Sequence, residues 1–113
     1  MRKAALWLLL FTSVPASAGS TGGLMTACSS PPGSSGAAIC GAYINGLGEG
    51  ILADQISRED GAFICLPDGI STPQIRDAIK TYIDNKDARI LQLPSGGVVA
   101  AALQASYPCP KSN

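Results

Sequence analysis

Four cysteines, Cys28, Cys40, Cys65 and Cys109, are the residues of this chain with the most chemistry to offer, and no histidine accompanies them. Without histidine there is no Ser-His-Asp triad, no Cys-His pair and no imidazole-based metal site. A four-cysteine zinc site needs close ligand pairs, and these spacings have none. No CxxC stretch marks a thiol–disulfide exchanger. Glu59-Asp60 reads as a solvated turn rather than an acid–base pair. The glycines of Gly46-Leu47-Gly48-Glu49-Gly50 are not followed by the Lys-Ser or Lys-Thr of a phosphate loop. The expectation is therefore no catalytic residue, no metal and no cofactor. What remains for the cysteines is disulfide formation.

The start of the chain supports that reading. Residues 1–18, MRKAALWLLLFTSVPASA, have the layout of an export signal: Arg2 and Lys3, an apolar run from Ala4 to Val14, and Ala16-Ser17-Ala18 as a small-residue cleavage site. The apolar run is about half of the roughly 20 residues a membrane-spanning helix needs. Cleavage after Ala18 would deliver the protein to the periplasm or outside the cell, where thiols oxidise. The run Leu24-Met25-Thr26-Ala27-Cys28 also resembles a lipoprotein signal, but acylating Cys28 would leave an odd number of thiols in an oxidising compartment. Losing Arg2 and Lys3 turns a balanced charge into a small acidic excess. Nucleic-acid binding is not expected of it, nor membrane attachment once the signal is gone.

The mature length suits one small domain. Residues 19–36 are expected to form a flexible N-terminus (19–23), a short helix ending at Cys28, and a Pro/Gly/Ser loop from Ser29 to Gly36. The helical domain proper is expected over 37–113, beginning near residue 24 if the short helix is included. From Ala37, the residues Ile39, Cys40, Tyr43, Ile44, Leu47 and Ile51 recur at helical spacing. Gly46 and Gly50 either fray that helix or admit a neighbouring helix closely. Phe63 to Leu66 reads as a strand or an extended segment stopped by Pro67, and Asp68-Gly69 as a turn. Ser71-Thr72-Pro73-Gln74 combines a hydroxyl cap, an early proline and a capping-box glutamine ahead of the stripe Ile75, Ala78, Ile79, Tyr82, Ile83. Ser95 is read as the cap of a last helix holding Val98, Val99, Ala102 and Leu103, stopped at Pro108. The fold class is all-α, a small up-down-like bundle of four helices stapled by two disulfides.

Four cysteines allow three connectivities. In an up-down bundle Cys28 and Cys40 flank the first turn, while Cys65 precedes the third helix and Cys109 follows the fourth. That topology favours Cys28–Cys40 with Cys65–Cys109. An Ala53–Phe63 connection that doubles back would instead join Cys40–Cys65 and Cys28–Cys109.

Taken in order, Cys40-Gly41-Ala42-Tyr43-Ile44-Asn45-Gly46, Cys65-Leu66-Pro67-Asp68-Gly69-Ile70, Gln74-Ile75-Arg76-Asp77, Tyr82-Ile83 and Tyr107-Pro108-Cys109 resemble the Rap/Tai immunity family across the mature chain. The resemblance implies a small exported helical protein, not an enzyme, that neutralises a peptidoglycan amidase effector of type VI secretion by occluding its active site. It also implies a homodimer. Ser57–Gly61 and Lys86–Gln92 are the candidate contact segments. The alternatives are a periplasmic stress chaperone of the HdeA kind, to which the family has a similar small helical look, or an orphan structural domain. The low charge density disfavours the acid-switched chaperone, which needs many titrating carboxylates.

Overall fold

A computed structural model describes residues 19–58 and 61–111. The segment read as an export signal, 1–18, and the pair Glu59-Asp60 lie outside the described residues. Four α-helices and one 3₁₀ turn follow in order: α1 (Thr21–Cys28), α2 (Ser35–Ser57), α3 (Thr72–Asp84), η1 (Ala88–Gln92) and α4 (Ser95–Ser106). Each helix packs on the next, apart from the η1 step, and α4 returns to α1, closing the ring of an all-α bundle. The core runs down its middle through Leu24, Ile44, Ile79, Ile83, Val99 and Leu103, with Ala102 fully buried. An alanine at that point lets α4 sit against its neighbours without a bulky side chain holding them off.

The elements form for local reasons. Ser71 Oγ accepts from Gln74 N–H (3.2 Å) and Gln74 Oε1 accepts from Ser71 N–H (2.9 Å), the reciprocal capping box that starts α3. Gly69 takes φ +74° in the turn before it, a conformation that costs other residues more. Asn85 is the C-cap.

Helix α2 is longer than its glycines imply. It starts at Ser35, capped by Ser34 Oγ accepting from Ala37 N–H (3.2 Å), and runs unfrayed through Gly46, Gly48 and Gly50 to Ser57. Interior glycines cost about 1 kcal/mol each relative to alanine. Anchors at both ends offset that cost: the Cys40 disulfide at one, and buried Gln55 at the other. The expected Ala53–Phe63 connection is thus partly helix. No neighbour within the chain comes within 4 Å of where a Cβ would stand on Gly41, Gly46, Gly48 or Gly50, so these glycines serve no internal close packing.

The beginning of the fold also departs from expectation. Residues 19–23 are no flexible lead-in. Ser20 Oγ caps α1 by accepting from Gly23 N–H (3.1 Å), and Thr21, at 0% exposure, is among the most buried residues of the protein. Packing reaches back at least to Thr21, ahead of residue 24.

Two disulfides close the bundle. Cys28 is bonded to Cys40, joining the end of α1 to the first turns of α2. Cys65 is bonded to Cys109, joining the extended segment before α3 to the end of the chain after α4. The second is supported by backbone pairing, since Cys65 N–H donates to Tyr107 O (2.8 Å) and Ile64 bridges Pro108.

Candidate partner-binding surface

The two candidate contact segments occupy opposite ends of α4. Arg58 lies over the Phe63 ring, and the adjacent Ile64 bridges Pro108 past the helix end. The 86–92 segment leads into Pro94 and Ser95 at the helix start. Twelve residues of α4 put roughly 18 Å between them. A single small cleft would engage one of them, not both.

In the first of the two, Arg58 is engaged by its own chain. Arg58 Nε pairs with Asp54 Oδ2 at 2.7 Å, and its guanidinium lies 5.3 Å from the Phe63 ring centroid. Ser57 itself is the last residue of α2, not part of a free turn.

The second segment projects. Asp87 caps η1, its Oδ1 accepting from Arg89 N–H (2.9 Å) and Arg89 Nε (3.1 Å). The Arg89 N–H first, and its guanidinium second, hold the Asp87 carboxyl below the usual carboxylate range. The cap is therefore present at neutral pH and weakens as pH falls through that lowered value. Ile90 packs against the core, while Leu91 (39% exposed) and Leu93 (51%) face outward. Beside them Tyr82, Ile90, Leu93, Pro94, Gly97, Val98 and Ala101 line an open apolar groove of about 340 Å³. Lys86 lies 4.8 Å over the Tyr82 ring at its edge. Leu91 on η1 and Leu93 at its C-cap thus stand exposed next to an open groove rather than an enclosed small-molecule pocket.

The buried support of this surface was not legible in the sequence. Ser95, expected as a helix cap, makes no cap bond. It is the first residue of α4, 1% exposed, with its Oγ 2.7 Å from Tyr43 OH. A second cavity, about 260 Å³, lies against the Cys28–Cys40 disulfide and is rimmed by Thr72, Pro73 and Arg76. It contains no free thiol, because both cysteines are bonded. The described residues include no cluster of His, Cys, Asp or Glu arranged to hold a metal.

Elsewhere on α2, Ile39 (62%), Leu52 (57%) and Ile56 (77%) are individually exposed.

A family model describing Rap1a immunity proteins matches residues 20–109. Neither the curated proteins nor the solved structures contain a match to the chain.

Proposed function

This chain belongs to the Rap1a immunity protein family, and we propose that it is an exported inhibitor of a peptidoglycan amidase effector delivered by type VI secretion. The observation that carries the proposal is the family match over residues 20–109, in a chain that leaves Leu91 and Leu93 exposed beside an open groove. Inhibition is steric. The η1 turn with Leu91 and Leu93 enters the amidase cleft, and the stapled bundle behind it blocks substrate. Such a mechanism requires rigidity rather than a reactive group, because little ordering entropy is then lost on binding.

In this reading residues 1–18 are removed after Ala18, and the domain is 19–113. Two disulfides fit a periplasmic or extracellular setting. No described helix is long and apolar enough to cross a membrane. The outer side of α2 is the surface for a second copy, which would cover Ile39, Leu52 and Ile56 and leave η1 free for the effector.

The test is protection of cells that receive the amidase in their periplasm. The full chain is expected to keep them intact, and residues 19–113 retained in the cytoplasm are expected to give no protection. Lysis despite oxidised protein accumulating in the periplasm would contradict the reading, as would protection by the cytoplasmic form.

A further inference from the structure

We propose that Gly19 to Gly22, the first residues after the expected cleavage, are positioning residues that hold the η1 surface in its binding geometry. The inference rests on the functional reading above for what the surface does, but not for how it is held. Three consecutive residues grip the exit of η1 in register. Ser95 N–H donates to Gly19 O (3.0 Å), Ser20 bridges Pro94, and Thr21 N–H donates to Leu93 O (2.9 Å). Thr21 Oγ1 donates to the same Leu93 oxygen at 2.9 Å, from a fully buried side chain. Residue 22 then sets how close α1 comes to η1. A Cβ placed on Gly22 would stand 3.2 Å from Leu91 O and 3.6 Å from Leu91 Cβ, so any larger residue pushes on the backbone of the outward leucine.

The arrangement has a physical purpose. η1 is a five-residue 3₁₀ turn with poor internal hydrogen bonding and no buried residue of its own. Left to itself it would sample many orientations, and a steric plug that wanders loses affinity to ordering entropy. The clamp supplies what the turn lacks, from a segment 72 positions away in sequence. It also ties export processing to binding. Cleavage after Ala18 leaves Gly19 and Ser20 in place, and trimming beyond them would remove half the grip.

The experiment uses the exported, oxidised protein with Thr21→Val, Thr21→Ser, Gly22→Ala and Leu91→Glu. It reads amide exchange at Ile90 and Leu93, exchange at Ile79 and Ile83 in α3, and inhibition of the amidase. Thr21→Val and Gly22→Ala are expected to speed exchange at Ile90 and Leu93 about tenfold and to weaken inhibition about tenfold. The α3 amides should be unaffected, and Thr21→Ser, which keeps the hydroxyl, should restore both readouts. The clamp is overturned if exchange at Ile90 and Leu93 stays unchanged, or rises only in step with Ile79 and Ile83. It is equally overturned if inhibition survives Thr21→Val and Gly22→Ala while Leu91→Glu abolishes it. Local exchange that responds as expected while Leu91→Glu inhibits normally would uphold the clamp and refute the choice of η1 as the binding surface.

Discussion

Gln55→Leu is expected to lower the unfolding free energy by about 4 kcal/mol, one of the two largest losses the fold predicts. The Gln55 amide serves three backbone groups at once. Its Nε2 donates to Ile64 O (3.1 Å), while Phe63 N–H (3.0 Å) and Ile64 N–H (2.7 Å) both donate to its Oε1. Ile64 is 4% exposed, so leucine would leave its N–H and C=O without water or a partner. Each such orphan costs about 1–3 kcal/mol, which outweighs the apolar gain from leucine at a site that is already nearly closed. The measurement is urea unfolding of the oxidised protein, read as a lower midpoint at unchanged slope. A loss under about 1 kcal/mol would mean that the 63–64 segment is held by the neighbouring disulfide and does not need Gln55.

Replacing Cys65 and Cys109 together by serine is expected to cost about 4 kcal/mol, against about 3 kcal/mol for Cys28 and Cys40. The difference follows from loop length. The first pair closes 44 positions and the second 12, and loop-closure entropy in the unfolded chain grows with the logarithm of that number. Together the two terms are comparable to the whole stability of a small domain, so the fully reduced protein should unfold at 37 °C. The order of reduction is also predicted. Cys65 is exposed and Cys109 half-buried, whereas Cys28 and Cys40 are 7% and 3% exposed. A mild thiol therefore opens Cys65–Cys109 first, because exchange needs access to a sulfur. Alkylation and mass mapping of a partly reduced sample reads this directly. Label appearing first on Cys28 and Cys40 would contradict it.

Those two sites mark where the sequence was legible and where it was not. The α3 helix could be read because its signals are local: a cap, a proline and a glutamine within four residues, followed by a regular apolar stripe. Val98, Val99, Ala102 and Leu103 of α4 were legible for the same reason, and they are buried as their spacing implies. Glycine misled in two places. Gly46 and Gly50 left a frayed end or a close helix contact open; the helix runs through both, and anchors at Cys40 and Gln55 override their low propensity. The glycines of residues 19–23 suggested a loose tail, yet Gly22 is where α1 comes close to the Leu91 backbone, a Cβ there standing 3.2 Å from Leu91 O. Gln55, Thr21 and Ser95 were illegible because each is a polar residue whose value lies in a partner remote in sequence, at Ile64, Leu93 and Tyr43. A hydrophobic periodicity gives such residues no weight. The candidate surface was half legible: Lys86–Gln92 could be named as a candidate contact segment, but the exposure of its leucines and the contacts of Gly19 to Gly22 needed the fold.

The functional account joins these levels. The short η1 turn belongs to a bundle stapled by two disulfides, and residues Gly19 to Thr21 are hydrogen-bonded to the segment that follows it. The same features weigh against an acid-activated chaperone, which works by coming apart. Here the chain has only eight carboxylate side chains, and Asp87, in the surface of interest, is held in its charged form rather than primed to take a proton.

The most direct measurement is a titration of a type VI peptidoglycan amidase with the oxidised exported protein, following cleavage of peptidoglycan. The account predicts that activity falls in proportion to added protein and ends at one inhibitor site per amidase. It also predicts that Leu91→Glu with Leu93→Glu raises the inhibition constant at least about a hundredfold, since burying two leucines is worth roughly 3 kcal/mol or more. Full amidase activity in the presence of excess folded, oxidised protein would contradict the account, and so would equal inhibition by the double variant.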